Sequence, residues 1–132
     1  MKVLIIGYGS IGKRHYQILN KIKKVHCLKV YTKQKIKLID FISTKKEILE
    51  FNPNYVVVAN ETHKHFNILK FLEKNFTNLK ILIEKPLFHK YIDYEVIKNK
   101  VYVGYNLRFH PLLLDIKKLI YNKEIWSINI IA

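Results

Sequence analysis

The sequence predicts an α/β fold of the doubly wound type, a parallel sheet with helices on both faces, and three observations favour it. Apolar runs such as Val3 to Ile6 are unbroken, which is typical of strands buried on both faces. Segments with helical spacing alternate with these runs, so right-handed crossovers between parallel strands are expected. The spacing G-x-G-x-x-G follows the first run and opens the first helical segment.

The composition fits one globular domain. Of the 132 residues 49% are apolar, and there are four glycines and three prolines, which argues against disorder. The formal charge of +14 would suit a polyanionic partner. The basic residues are scattered, however, and no basic helix or aromatic RNA-reading motif accompanies them, so we expect no nucleic-acid partner.

The cellular compartment is predicted from the cysteine content and from the lack of a signal peptide and of a long apolar run. The single cysteine, Cys27, lies in an apolar run, which is typical of a buried structural thiol. The sequence has no signal peptide and no apolar run approaching about 18 residues. We therefore expect a cytoplasmic protein without a membrane partner, and we predict no metal site.

The first strand ends at a glycine-rich turn, because Tyr16, Leu19 and Ile22 recur at helical spacing after the glycines. The first glycine permits a tight turn, the second lets the backbone approach a pyrophosphate, and the third lets the helix pack closely on the strand. The helix N-terminus then offers free N–H groups to phosphates. A glycine-rich turn without a ligand is the alternative. The predicted dinucleotide-binding residues of this turn are Gly7, Tyr8, Gly9, Ser10, Ile11 and Gly12.

A second strand, VHCLKVYT, ends about twenty residues after Gly12, where a dinucleotide fold usually places an acid on the adenosine ribose. This chain has Thr32 and Lys33 there. A carboxylate would repel a 2′-phosphate, whereas a hydroxyl and an ammonium can bind one, and a charge-assisted hydrogen bond contributes about 1.5–3 kcal/mol. Both residues are predicted to bind the cofactor, with a weak preference for NADP over NAD. The alternative is that Lys33 is a solvated loop lysine.

The remaining elements continue the alternation. KIKLIDFI predicts a third strand, and Thr44 with Glu47 forms a capping box before the next helix. YVVVAN and LKILIEKP predict two more strands, and the first of them leads into the helix ETHKHFNILKFLEKN. VYVGYNLRFHP predicts the sixth strand and the entry to a helix. LLLDIKKLIYN predicts an amphipathic helix with one apolar face. Ligands bind outside the carboxyl ends of such strands, so the polar residues at these ends converge on one edge.

Four motifs in order resemble one family. They are GYGSIG, ANETHKH, EKP and VGYNLRFHP. The glycine motif is shared by many proteins, but EKP followed some twenty residues later by VGYNLRFHP is far more specific. The chain resembles, over nearly its whole length, the glucose-fructose oxidoreductase / inositol dehydrogenase (Gfo/Idh/MocA) family of NAD(P)-dependent sugar and polyol dehydrogenases.

The resemblance implies a catalytic role for Lys85. In the family a lysine at this position projects towards the nicotinamide and the substrate hydroxyl, where an ammonium binds the oxygen and helps to move its proton. Glu84 would orient Lys85 or pair with it beside the cofactor. Pro86 would fix the turn, and a cis peptide would suit that role.

The resemblance implies further cofactor contacts after the fourth strand and at the sixth. His65 corresponds to the family's histidine, and Asn60 begins the segment where its cofactor-contacting turn lies, although Asn-Glu replaces the usual Thr-Pro. Asn106 and Arg108 match positions that in the family line the cofactor or substrate side of the cleft, although Arg108 could equally cap or brace the domain junction. The contacts assigned in this way are Asn60, Thr62, His65, Asn106 and Arg108.

The resemblance also predicts a domain division, with a dinucleotide-binding domain over 1–121 and the first strand of a second, truncated domain over 122–132. In the family that second domain supplies most substrate contacts and a catalytic histidine. The apolar tail could pair with another chain and form a homo-oligomer, or fold back on the sheet. Its apolar residues are Ile125, Trp126, Ile128, Ile130 and Ile131. Two functions stay open: a sugar, nucleotide-sugar or polyol dehydrogenase, and a non-catalytic NAD(P)-binding or interaction module.

Overall fold

Six strands and four α-helices are present in the computed structural model, which describes residues 1–34, 36–37, 39–127 and 129. In chain order they are β1 (Lys2–Ile6), α1 (Ser10–Leu19), β2 (Cys27–Tyr31), β3 (Phe41–Ile42), α2 (Lys45–Phe51), β4 (Tyr55–Val58), α3 (Thr62–Asn75), β5 (Lys80–Ile83), β6 (Lys100–Val103) and α4 (Pro111–Leu119). A short 3₁₀ helix, Asn106–Phe109, lies between β6 and α4. The predicted α/β fold is confirmed.

The strands form one parallel sheet in the order β3-β2-β1-β4-β5-β6. This is the order of dinucleotide-binding folds, in which the ligand crosses the switch point between the first and fourth strands. The strand ends are in register, since Ile6 pairs with Tyr31 and Val58, Val58 with Ile83, and Ile83 with Val103. The residues that follow these ends therefore share one edge, as the sequence predicts.

The core lies on both faces of the sheet, because successive side chains of a strand point to opposite sides. Leu4 and Ile6 of β1 lie in one apolar cluster with residues of α2 and α3. Val3 and Ile5 lie in a second cluster, against which α1 packs through Tyr16. The unbroken apolar run of β1 thus follows from cover on both faces.

The third strand is shorter than predicted, since it comprises Phe41–Ile42 in the described residues. It is an edge strand that pairs with β2 alone, and Phe41 is exposed. With one neighbour, the alternating residues before Phe41 gain little burial from joining the sheet. Residues 35 and 38 of the predicted strand lie outside the described residues.

The last helix forms where predicted but buries none of its side chains in the described structure. Its apolar face is exposed: Leu112, Ile116, Leu119 and Ile120. Apolar spacing predicts that a helix has such a face but does not say what covers it. None of the helices in the described ranges combines the length and apolar character that a membrane span requires.

The predicted tail strand is not present in the part of the tail that the structure describes. Ile125 and Trp126 are exposed and belong to no strand. Ile128, Ile130 and Ile131 lie outside the described residues. The domain boundary after residue 121 stays a prediction.

Residues 84–99 connect β5 to β6 without a helix or strand. Glu73 of α3 anchors the end of this connection, because its carboxylate accepts hydrogen bonds from the backbone N–H groups of Ile97 (2.9 Å) and Lys98 (2.5 Å) and from Nδ2 of Asn99 (2.6 Å). The Asn99 Oδ1 accepts one from the N–H of Leu79 at 2.9 Å. Glu73 and Asn99 are buried, so this network holds β6 beside β5.

Glu73→Gln should lower the free energy of unfolding at neutral pH by about 1–3 kcal/mol, because the new amide would face hydrogen-bond donors. Burial opposes ionisation of Glu73, but the hydrogen bonds outweigh it and lower the pKa of the carboxyl below its ordinary value. Since the folded pKa is lower than the unfolded pKa, this stabilisation is present above the unfolded pKa and is lost as pH falls through the folded pKa. Urea unfolding of both proteins across this range tests the prediction, and a pH-independent difference would contradict it.

Candidate functional site

A cavity of about 670 Å³ lies at the carboxyl ends of β1, β2 and β4, within the range of about 300–1,000 Å³ that small-molecule and cofactor sites occupy. It is the place where a doubly wound sheet binds its ligand. The predicted site residues that line it are Gly7, Tyr8, Gly9, Ser10, Ile11, Thr32, Lys33 and Asn60.

Two glycines of the turn after β1 are required by the fold itself. Gly7 has φ +97, and a Cβ there would lie 2.6 Å from the backbone N and Cα of Asn60. Gly12 is buried in α1, and a Cβ there would lie 2.2 Å from the carbonyl oxygen of Gly7. The first and third glycines of the motif therefore permit the tight turn and the close packing that the sequence predicts.

Gly9 differs from the other two glycines, because a Cβ there would meet nothing within 4 Å. It is the N-cap of α1 in the extended conformation, and in the described structure no side chain caps this helix and no acid lies in its first turn. In α2, by contrast, Thr44 and Glu47 form the predicted capping box, which is confirmed. The backbone N–H groups of the first turn of α1, which have no partner within the helix, thus lie at the cavity.

The end of β2 contributes three polar residues to the cavity wall: Thr32, Lys33 and Gln34. Thr32 is largely buried, and its Oγ1 accepts a hydrogen bond from the backbone N–H of Gln34 at 3.1 Å. Its O–H group is left as a donor. Lys33 is exposed, so its ammonium can reach a ligand without first losing a buried partner.

Two further lining residues, Glu61 and Lys64, form an ion pair at the start of α3. The Lys64 Nζ lies 2.6 Å from Oε1 of Glu61 and both side chains are at least half exposed. The hydrogen bond from Lys64 lowers the pKa of the Glu61 carboxyl. Because this pair is internally neutralised, Lys33 is the stronger source of uncompensated positive charge on the cavity wall.

His65 lies behind the cavity rather than on its wall. The ring is 1% exposed; its Nε2 is 3.0 Å from the carbonyl oxygen of Asn60, and its Nδ1 is 3.2 Å and 3.1 Å from those of Pro86 and Leu87. It therefore joins the turn after β4 to the turn after β5. Asn60 itself lines the cavity, and its Oδ1 is buried without a hydrogen-bond partner in the described structure.

The EKP turn follows β5 outside the cavity. Lys85 is exposed, and the Lys85–Pro86 peptide is cis, as the resemblance suggested. The predicted pairing of Glu84 with Lys85 is not present in the described contacts, because the Glu84 carboxylate instead lies 2.7 Å from Nε2 of His15 on α1. Glu84 therefore has a partner on another element.

The other assigned residues also lie off the cavity wall. Thr62 is the first residue of α3 and is half-buried. Asn106 and Arg108 are exposed on the 3₁₀ helix, where the Arg108 guanidinium lies 5.8 Å from the centre of the Tyr105 ring. Cofactor contacts by these three residues stay predictions.

Sequence reasoning missed four residues of this edge. Gln34, Glu61 and Lys64 flank residues that were assigned, so the turn positions after β2 and β4 could have indicated them. His15 follows Gly12 by three residues, one turn along the same face of α1. Its partner is 69 residues away, and only the strand order brings the two together.

Comparison with known proteins agrees with this geometry. A family model, GFO_IDH_MocA, described as an oxidoreductase family with an NAD-binding Rossmann fold, matches residues 1–101. A comparison with curated proteins gives no match.

Solved structures share the fold at low sequence identity. The WlbA dehydrogenase from Chromobacterium violaceum, in complex with NADH and UDP-GlcNAcA, is 15% identical with a TM-score of 0.78 over 91% of this chain and 39% of its own. The WlbA dehydrogenase from Thermus thermophilus, with NAD and UDP-GlcNAcA, is 17% identical with a TM-score of 0.72 over 95% and 48%. Myo-inositol 2-dehydrogenase from Lactobacillus plantarum is 20% identical with a TM-score of 0.72 over 91% and 40%.

The chain thus spans less than half the length of each of these three proteins, and the likeness to them concerns the fold. The family model covers residues 1–101 of the 132. The chain therefore belongs to the Gfo/Idh/MocA oxidoreductase family and carries its NAD-binding Rossmann fold.

Proposed function

We propose that this chain binds NAD or NADP along the carboxyl edge of its sheet and serves as the cofactor domain of a dehydrogenase acting on a sugar, nucleotide sugar or polyol. The observation that carries the proposal is the N-terminus of α1, which begins at the cavity with Gly9, without a side-chain cap in the described structure. Gly9 has room for a side chain that would cap the helix, so a ligand for the free N–H groups explains the glycine.

Different residues of this edge would bind different parts of the dinucleotide. The N–H groups that follow Gly9 would hold the pyrophosphate, and Lys33 would lie at the adenosine ribose after β2. Asn60, across the switch point after β4, would meet the other nucleotide half, and its unpartnered Oδ1 suits a hydroxyl or amide donor.

Lys85 would act on the substrate. A nicotinamide bound there would supply or accept the hydride. The exposed ammonium of Lys85 would bind the reacting oxygen and hold or release its proton. The sugar, nucleotide-sugar or polyol class is supported by the UDP-GlcNAcA in the two WlbA complexes and by the name of the inositol dehydrogenase.

The proposed preference for NADP depends on the end of β2. Lys33 is exposed on the cavity wall, and neither Thr32 nor Gln34 beside it is an acid. A 2′-phosphate there would gain a charge-assisted hydrogen bond and meet no carboxylate on these three residues. The complexes with NAD and NADH in the similar structures favour the other cofactor, so the two must be compared directly.

Isothermal titration of the 132-residue chain with NADPH and with NADH, at one ionic strength, tests the proposal. Micromolar binding of either cofactor is the expected result. Absence of binding to both would overturn the cofactor site and with it the dehydrogenase function.

Lys33→Glu should weaken NADPH binding by about ten- to a hundredfold, since it replaces a charge-assisted hydrogen bond with repulsion. NADH lacks the 2′-phosphate and should lose much less. The same titrations measure both affinities. Equal losses for the two cofactors would refute the placement of the 2′-phosphate at Lys33, and Lys37→Glu, an exposed lysine of the same loop that does not line the cavity, controls for the change in net charge.

A further inference from the structure

The imidazole of His15 contacts the strand end that carries Lys85. Its Nε2 lies 2.7 Å from Oε1 of Glu84, and the two side chains are 22% and 23% exposed. His15 lies on α1, the helix that begins at the glycine-rich turn after β1, whereas Glu84 directly precedes Lys85. The contact therefore joins the helix that follows the glycine-rich turn to the strand end that carries the proposed catalytic lysine.

The Glu84 carboxylate is also confined on a second side. A Cβ at Gly104, which follows β6, would lie 3.2–3.3 Å from Oε2, Cδ and Oε1 of Glu84. The backbone of Glu84 donates to the carbonyl oxygen of Val58 at 2.9 Å, and Gly104 donates to that of Ile83 at 2.8 Å. Glu84 is thus held between α1 and the ends of β4 and β6.

This confinement limits where Lys85 can be. Consecutive Cα atoms of a trans peptide are about 3.8 Å apart, so an anchored Glu84 fixes the position from which the Lys85 side chain leaves the backbone. Lys85 is exposed, and the described contacts give its ammonium no partner that could set its position instead. The backbone on either side of Lys85 must therefore set the orientation of its side chain.

The contact lies in the nicotinamide half of the proposed site. In this strand order a bound dinucleotide would place its adenosine ribose at the end of β2 and cross the switch point between β1 and β4. Its nicotinamide half would consequently lie towards β4 and β5. His15 does not line the cavity beside β2, so its effect on the adenosine half should be small.

We propose that His15 is a positioning residue: through Glu84 it holds the end of β5 in the place where Lys85 and the turn after it meet the nicotinamide and the reacting oxygen. This inference rests on the proposed function. His15 donates the hydrogen bond and the carboxylate accepts it, and a charge-assisted bond of this kind is short and strong. No proton need leave either group, because the pair acts by geometry.

The test compares NADH with ADP-ribose, which lacks the nicotinamide. Titration of the wild-type chain and of His15→Leu with both ligands should show NADH affinity reduced by about tenfold, the lower end of what one charge-assisted hydrogen bond contributes, and ADP-ribose affinity unchanged. His15→Gln, whose amide N–H can still reach the carboxylate, should restore most of the NADH affinity. Gln17→Leu, an exposed position of the same helix, should change neither.

The possible failures are distinguishable. Equal loss of both ligands in His15→Leu, or loss of neither, would overturn the positioning role while the proposed cofactor site stands. Absence of binding of NADH and ADP-ribose to the wild-type chain would overturn both proposals. If His15→Leu does not fold, Glu84→Ala removes the contact from the strand side, and the same ligand-selective loss is required of it.

Discussion

Gly9→Asp should abolish binding of NADH and NADPH while leaving the free energy of unfolding unchanged or a few tenths of a kcal/mol higher. Gly9 has φ −73 and ψ −167, the extended conformation of an N-cap that aspartate adopts readily. A side chain there meets no atom within 4 Å. Aspartate also caps helices better than glycine, so the helix itself should gain from the change.

Cofactor binding should be lost for the same reason that the helix is stabilised. The new carboxylate would accept hydrogen bonds from the N–H groups of the first turn of α1 and place a negative charge where the pyrophosphate is proposed to lie. We expect affinity to fall by more than about a hundredfold, which corresponds to about 2.8 kcal/mol. Calorimetric titration and urea unfolding of one preparation measure the two effects.

Gly9→Asn separates the charge from the size of the side chain. Asparagine is nearly isosteric with aspartate and caps helices equally well. The affinity that Gly9→Asn loses therefore reports occupation of the proposed pyrophosphate position, and the additional loss in Gly9→Asp reports charge repulsion. Wild-type affinity in Gly9→Asp would refute the cofactor site at this turn. Unfolding of Gly9→Asp would instead contradict the open space beside Gly9.

The fold was predictable where the pattern is local and the element is buried on both faces. The run Val3 to Ile6 predicts β1 because both of its faces are covered. The prediction of β3 was too long because an edge strand gains burial from one neighbour only. For α4 the spacing predicts an apolar face, but all its described side chains are exposed, since periodicity carries no information about what covers a face.

The site was predictable as a set of strand ends but not as a set of contacts. The glycine spacing and the strand order explain why Gly7, Gly9 and Asn60 meet at one cavity. The contact of Glu84 with His15 spans 69 residues, and no pattern within either segment indicates it. Resemblance assigns residues to a site one at a time, whereas hydrogen-bond partners depend on how whole elements are placed.

Gly12→Ala should lower the free energy of unfolding by about 1–3 kcal/mol, the cost of overpacking a tight contact. The added methyl group would lie 2.2 Å from the carbonyl oxygen of Gly7, a backbone atom that cannot move without opening the turn after β1. The sign of the change in the free energy of unfolding is informative, because an alanine in a helix without a clash would be stabilising relative to glycine, by up to about 1 kcal/mol.

Urea unfolding decides between these signs, and Gly9→Ala is the matched control, since the same methyl group there meets open space and should cost less than about 1 kcal/mol. A more stable Gly12→Ala protein would contradict the close packing of α1 on the turn. Relief of the clash would move the N-terminus of α1 away from Gly7 and from the cavity that Gly7 lines. The dinucleotide affinity of the folded Gly12→Ala protein should therefore also fall. Within one motif, then, we expect Gly12 to be required first for packing and through packing for binding, and Gly9 to be required for binding alone.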